Sequence, residues 1–210
     1  MSGLKLNMTT TYHITTTPNP PTASTIASYR EVRLAALRTD PEYFSSTYER
    51  EAAFLEETWR ERLTGGGKAT FVALASAGEG EEEREEEGSG GYMGAVTVIA
   101  GRNARAGAVP CDAEAAKTYL VYGMWVRPEH RRRGVGRRLM EGMLAWARDD
   151  AKESASGKAE SGADGFEVWL AVQPSDEAAR KLYAGLGFRD VEGELGDYGE
   201  LWMRRTLEEA

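Results

Sequence analysis

The tightest constraint on the fold lies in residues 118–147. TYLVYGMWV (118–126) is dense in aromatic, aliphatic and β-branched residues and reads as a strand, which Pro128 stops because it has no N–H to give a neighbour. The period then changes. Leu139, Met140, Met143, Leu144 and Ala147 fall on one face of a helix. Between strand and helix lies a short loop containing Arg131, Arg132, Arg133, Gly134, Val135, Gly136 and Arg137. Two glycines there let the backbone approach a ligand closely, since no Cβ intervenes. The first turn of the helix also offers unpaired N–H groups and the positive end of its dipole, an arrangement suited to phosphate.

Two other readings of this stretch are weaker. A dinucleotide-binding turn needs a longer glycine fingerprint and an acidic residue about 20 positions on, inside a leading βαβ unit, and the sequence has neither. A nucleic-acid-reading helix carries its basic residues along one face, whereas here that face is Leu and Met and the arginines crowd the entry. Charge distribution explains why the net value of −8 decides little: EGEEEREEE (79–87) alone holds seven Glu and one Arg. Around the loop, Arg127, Arg131, Arg132, Arg133, Arg137 and Arg138 face a single Glu.

The rest of the 210 residues suits one domain with one core. Residues 1–9 are expected to be a flexible N-terminus and 10–210 the domain. Residues 12–17 read as an edge strand. A helix follows over 23–39, with Ile26, Tyr29, Val32, Leu34 and Leu37 as its apolar residues and Ser24 or Thr25 as cap. A second helix is expected over about 46–63, opened by a Ser46/Glu49 capping box and striped by Phe54, Leu55, Trp59 and Leu63. Strands over 69–77 and 91–101 flank an acidic low-complexity loop at about 78–90. After the central strand and helix comes a linker at about 152–165, a strand at 166–172, a helix from Asp176, and two closing strands. The order predicts a single α/β domain with a mixed, largely antiparallel sheet flanked by helices.

MWVRPEHRRRGVGRRLM resembles the acyl-CoA-binding segment of the GNAT superfamily of N-acetyltransferases: apolar strand, Pro-Glu, then Arg-x-x-Gly-x-Gly opening a helix. VWLAVQPSDEAARKLYAGLGF resembles that superfamily's second signature, with Leu-Tyr on a helix followed by Gly-Phe. The pair, in this order and about forty residues apart, is more specific than either motif. Two positions depart from the pattern: Arg132 stands where the family often has a glycine, and Asp176 where it has an asparagine.

The resemblance implies acetyl-CoA as co-substrate, held by Trp125, Val126, Arg131, Arg132, Arg133, Gly134, Val135, Gly136, Arg137 and Asp176, with no metal. It implies a strand bulge near Trp125 and Val126 whose N–H meets the thioester carbonyl. It also makes Tyr183 the catalytic proton donor, since a phenol of pKa about 10 is matched to a thiolate of about 8.5. No spacing singles out a general base among the acidic residues or from His13 and His130. Tyr122 and Trp169 are candidate walls for the acceptor, expected to be a small-molecule primary amine. A non-catalytic acyl-CoA-binding module, or a lysine or N-terminal acetyltransferase of proteins, remains open beside this reading. No basic-then-apolar leader and no long apolar span are evident, and Cys111 is a lone thiol. A cytoplasmic enzyme without nucleic-acid or membrane partners is expected, and a homodimer is left open.

Overall fold

The computed structural model describes residues 10–77, 91–104, 118–155, 165–196 and 198–208. The expected flexible N-terminus, the acidic loop, Cys111 and most of the 152–165 linker lie outside them. The described strands are β1 (Thr10–Thr16), β2 (Lys68–Ala77), β3 (Gly94–Ala100), β4 (Thr118–Val126), β5 (Gly165–Val172), β6 (Arg189–Leu195) and β7 (Leu201–Glu208). They form one sheet in the order β1-β2-β3-β4-β5-β7-β6. Every neighbouring pair is antiparallel except β4 and β5. That parallel step needs a crossover, and α4 (Val135–Ala155) supplies it.

Alternation along the strands sends their residues to two cores. Phe71, Val96, Val98, Val121 and Leu170 face one side, where Leu139, Met140, Met143, Leu144 and Ala147 of α4 pack on them along the predicted helix face. α5 (Glu177–Gly185) adds Tyr183 to this core. On the other side Val72, Ala95 and Trp125 meet Ile26, Tyr29 and Val32 of α1 (Ala23–Thr39), with Trp59 and Leu63.

Three local expectations are corrected. Thr22 caps α1, accepting from the Thr25 N–H at 3.1 Å. The 46–63 segment is two helices, α2 (Tyr48–Ala52), capped by Thr47, and α3 (Glu56–Leu63). A single helix would put Glu51, Leu55 and Trp59 on one stripe at i, i+4, i+8; the break instead leaves Leu55 77% exposed while Glu51 and Trp59 are fully buried. α4 also extends to Ala155, past the expected start of the linker.

Candidate active site

The site begins where the sheet opens. β4 pairs with β5 only over Thr118–Val121 against Glu167–Leu170, so β4 beyond Val121 presents an unpaired edge toward β5. On its other edge β4 bulges: Tyr122 and Trp125 face Thr97 and Ala95, which leaves Gly123 and Met124 opposite Val96 alone. Gly123 takes φ +61° there. The bulge thus lies two residues before Trp125 and Val126, where it was expected.

The glycine turn sits directly beyond this edge. Arg132 at φ 61° and Gly134 at φ 78° curl the backbone into a concavity. Among the described residues, no acceptor is found for the backbone N–H groups of residues 132–137. At Gly136 a Cβ would stand 2.9 Å from Met124 Cε and 3.3 Å from Leu182 Cδ2, so a side chain there would have to displace the end of Met124 for α4 to stay this near β4 and α5. The backbone therefore offers N–H groups at a helix N-terminus, an arrangement that suits an anion such as a phosphate.

The predicted arginines do not share one fate. Arg131 turns away from the turn, donating from Nε to the Val126 carbonyl at 2.9 Å and pairing with Asp40. Asp40 also accepts from the Trp125 indole at 2.6 Å, which anchors that side chain against the α1 core at the cleft wall. Arg133 lies 3.5 Å from the Tyr12 hydroxyl, itself 2.9 Å from His130 Nδ1. Arg137 reaches the Gly185 carbonyl and Glu141, while Arg132 is exposed without a protein partner among the described residues. Val135 is buried in the core.

A cleft of about 1340 Å³ joins these features to the N-terminal helices. It is larger than the roughly 300–1,000 Å³ of a single small-ligand pocket. Tyr183 lines it and is nearly buried; burial and the charge of Asp176 push its phenol well up, so the hydroxyl stays protonated at neutral pH. Asp176 caps α5, accepting from the Ala179 N–H at 2.9 Å. Tyr122 also lines the cleft. Trp169 does not: it is 1% exposed, its indole donating to Glu167 at 2.9 Å, and Ala171 and Trp202 line the cleft near it instead.

The opposite end is built from residues that spacing had not marked. Arg33, Glu51 and Arg62 line it, with Lys68. Their signal in sequence is slight, because they sit among many other charges and meet only through packing of α1, α2 and α3. Neither histidine lines the cleft, and each lining carboxylate has a partner: Arg33 and Arg62 on Glu51, Arg131 on Asp40, Ala179 N–H on Asp176, and Tyr198 N–H on Glu200. Among the described residues there is no helix long and apolar enough to cross a membrane and no acidic, histidine or cysteine cluster of metal-binding type.

Residues 90–190 match the family model described as acetyltransferase (GNAT) domain. Among solved structures, the GNAT domain of S. lividans PAT is similar, with TM-score 0.58, 18% identity, and coverage of 93% of this chain and 90% of that one. A GNAT-family acetyltransferase from Staphylococcus aureus MU50 gives 0.56 at 14% identity, covering 94% of this chain and 100% of that one. Arabidopsis thaliana NAA60, solved with a bisubstrate analogue, gives 0.52 at 15% identity, covering 94% and 100%. At these identities the likeness is one of fold. None of the curated proteins compared matches the sequence.

Proposed function

We propose, from the match of residues 90–190 to the acetyltransferase (GNAT) domain model, that the chain is an acetyltransferase of this kind and acetylates the primary amine of a small molecule, using acetyl-CoA. The observation that carries this reading is the parting of β4 and β5 after Val121, immediately above the open N–H groups of residues 132–137. Acetyl-CoA supplies a thioester whose carbon bonds to the amine nitrogen as the C–S bond breaks, the amine's proton and the thiolate accounting for the balance.

The chain's own residues meet three demands of that exchange. The backbone of 132–137 holds phosphates, with Arg132 and Arg137 adding charge from the exposed side. The unpaired edge of β4 at its bulge offers N–H groups to the carbonyl oxygen as it gains charge. Tyr183 keeps its proton and aligns it with the departing sulfur. Its raised pKa makes full transfer uphill at first, so the hydroxyl serves as a hydrogen-bond donor while negative charge builds on sulfur.

CoA release from acetyl-CoA, followed over a panel of amines, amino acids, polyamines and lysine peptides, tests the reading. Stimulated release with small amines is expected, and Tyr183→Phe is expected to lower kcat about 100-fold, the lower end of general-acid contributions, with acetyl-CoA affinity retained. Tight acetyl-CoA binding with no stimulated release from any amine would leave a binding module instead. Release with the peptides alone would move the acceptor to proteins.

A further inference from the structure

At the end of the cleft away from the glycine turn, three helices converge on one carboxylate. Glu51 has a fully buried side chain and accepts from Arg33 Nε at 3.0 Å, Arg33 Nη2 at 2.8 Å and Arg62 Nη1 at 3.0 Å. Both guanidiniums lie over aromatic rings, Arg33 on Phe44 at 4.7 Å and Arg62 on Phe54 at 5.1 Å. Two cations on one anion leave a positive charge uncompensated in a place where the Arg33 side chain is only 12% exposed. Such a charge is costly unless an anion joins it.

The surroundings do not supply that anion. Lys68 adds a cation at the cleft wall, its ammonium held down in pKa by burial and by the charge of Arg62, which outweigh the nearby charge of Glu61, a residue that does not line the cleft. Arg50 lines the same end. The remaining lining carboxylates are engaged elsewhere: Asp40 by Arg131 and Trp125, Asp176 by the α5 cap, Glu200 by the Tyr198 N–H.

Free donors point the same way. Arg33 Nη1 and the Nε and Nη2 of Arg62 have no hydrogen-bond partner among the described residues. Arg33 Nη1 lies 3.7 Å from where a Cβ on Gly123 would stand, which places it beside the β4 bulge. Glu51 fixes Arg33 by two bonds, so the guanidinium is oriented before anything binds. A planar guanidinium with free N–H groups matches a carboxylate.

We propose that the Arg33–Glu51–Arg62 cluster seats a carboxylate of the acceptor, so that the acceptor is an amino acid or similarly small amino carboxylate. This rests on the acetyltransferase reading and adds the acceptor's chemical class. The short distance from Arg33 to the bulge lets one small molecule reach both ends: its carboxylate at the arginines, its amine at the thioester. Glu51 is a positioning residue, Arg33 and Arg62 the binding residues.

The test compares each common α-amino acid, and β-alanine, with its own carboxamide. Two measurements are made: kcat/KM for CoA release, and calorimetric affinity for the full chain saturated with CoA. At least one acid is expected to exceed its amide by roughly 10–100-fold, the worth of one or two hydrogen bonds to a charged group. Arg62→Gln should collapse that ratio toward one by raising KM for the acid more than it lowers kcat. Arg33→Lys, which keeps the charge and loses the fork, should reduce the ratio without abolishing it.

Amides reacting as well as acids would overturn the inference while the acetyltransferase reading stood. Acids binding in preference to amides, with no amine releasing CoA, would support the carboxylate site and sink the acetyltransferase reading. Equal binding of acids and amides together with no turnover would overturn both.

Discussion

Gly134 and Gly185 separate two costs that a methyl group can carry. Neither would meet a heavy atom within 4 Å if given a Cβ. Gly134 has φ +78°, whereas Gly185 ends α5 with no such conformation. Gly134→Ala should therefore destabilise by about 1–2 kcal/mol through backbone conformation alone. Gly185→Ala should stabilise by about 0.4–1 kcal/mol by restricting the unfolded chain. Denaturant melts of the two variants give the signs, and two equal shifts would mean that the turn relaxes to accept a side chain. The wider point at this scale is that the arginines catch the eye in sequence, yet the glycines beside them shape the site. Arg131 commits its guanidinium to Asp40 and the Val126 carbonyl, so in the proposed reading the phosphates fall to the backbone.

At the scale of elements, Glu51 ties α1 to α3 through Arg33 and Arg62. Burial alone would raise its carboxyl, but the hydrogen bonds and charge of Arg33 and the charge of Arg62 outweigh it and hold the group below the usual glutamate range. A carboxylate so depressed contributes stability above its unfolded value of about 4.3, and the contribution is lost as pH falls through the folded value. Glu51→Gln should cost about 3 kcal/mol at pH 7 by leaving two arginines without their anion. The gap between its Tm and that of the wild type should then narrow as pH falls below about 4.5. A gap constant from pH 7 to pH 3 would show that the carboxylate's charge contributes nothing. The same residue explains where the sequence misled. The faces of α1 and α4 and the strand positions were legible because helix and strand periods are local, written in residues such as Leu139, Met143 and Ile26. The break between α2 and α3 was not, because it comes from Glu51 meeting arginines 18 residues back and 11 ahead. Trp169 failed for a related reason: that strand was visible, but Glu167, Arg204 and Trp202 close over the indole only in three dimensions.

At the scale of the molecule, the sheet is continuous through β4 and β5 for only four residue pairs and then opens. What holds the two parts together beyond them is the core under α4 and α5, in which Val121, Val126, Leu170, Tyr183, Phe188 and Met203 form one cluster. A ligand in the opening would touch β4, the start of α4 and α5 together, and so would bind the folded chain and have little to hold in the unfolded one. At a concentration of 100 Kd, acetyl-CoA should then add about 2.7 kcal/mol of stability, a rise in Tm of about 5–10 °C for a chain of this size. The gain should also be local in a definite way. Amide hydrogen exchange should slow most at residues 132–137, whose N–H groups lack acceptors among the described residues, and next at residues 122–126, where β4 has no neighbour on the β5 side. The β1 and β6 edges should change only with global stability. Stabilisation with protection concentrated on β1 instead would place the CoA site outside the parted strands, and the reading built on that opening would fall with it.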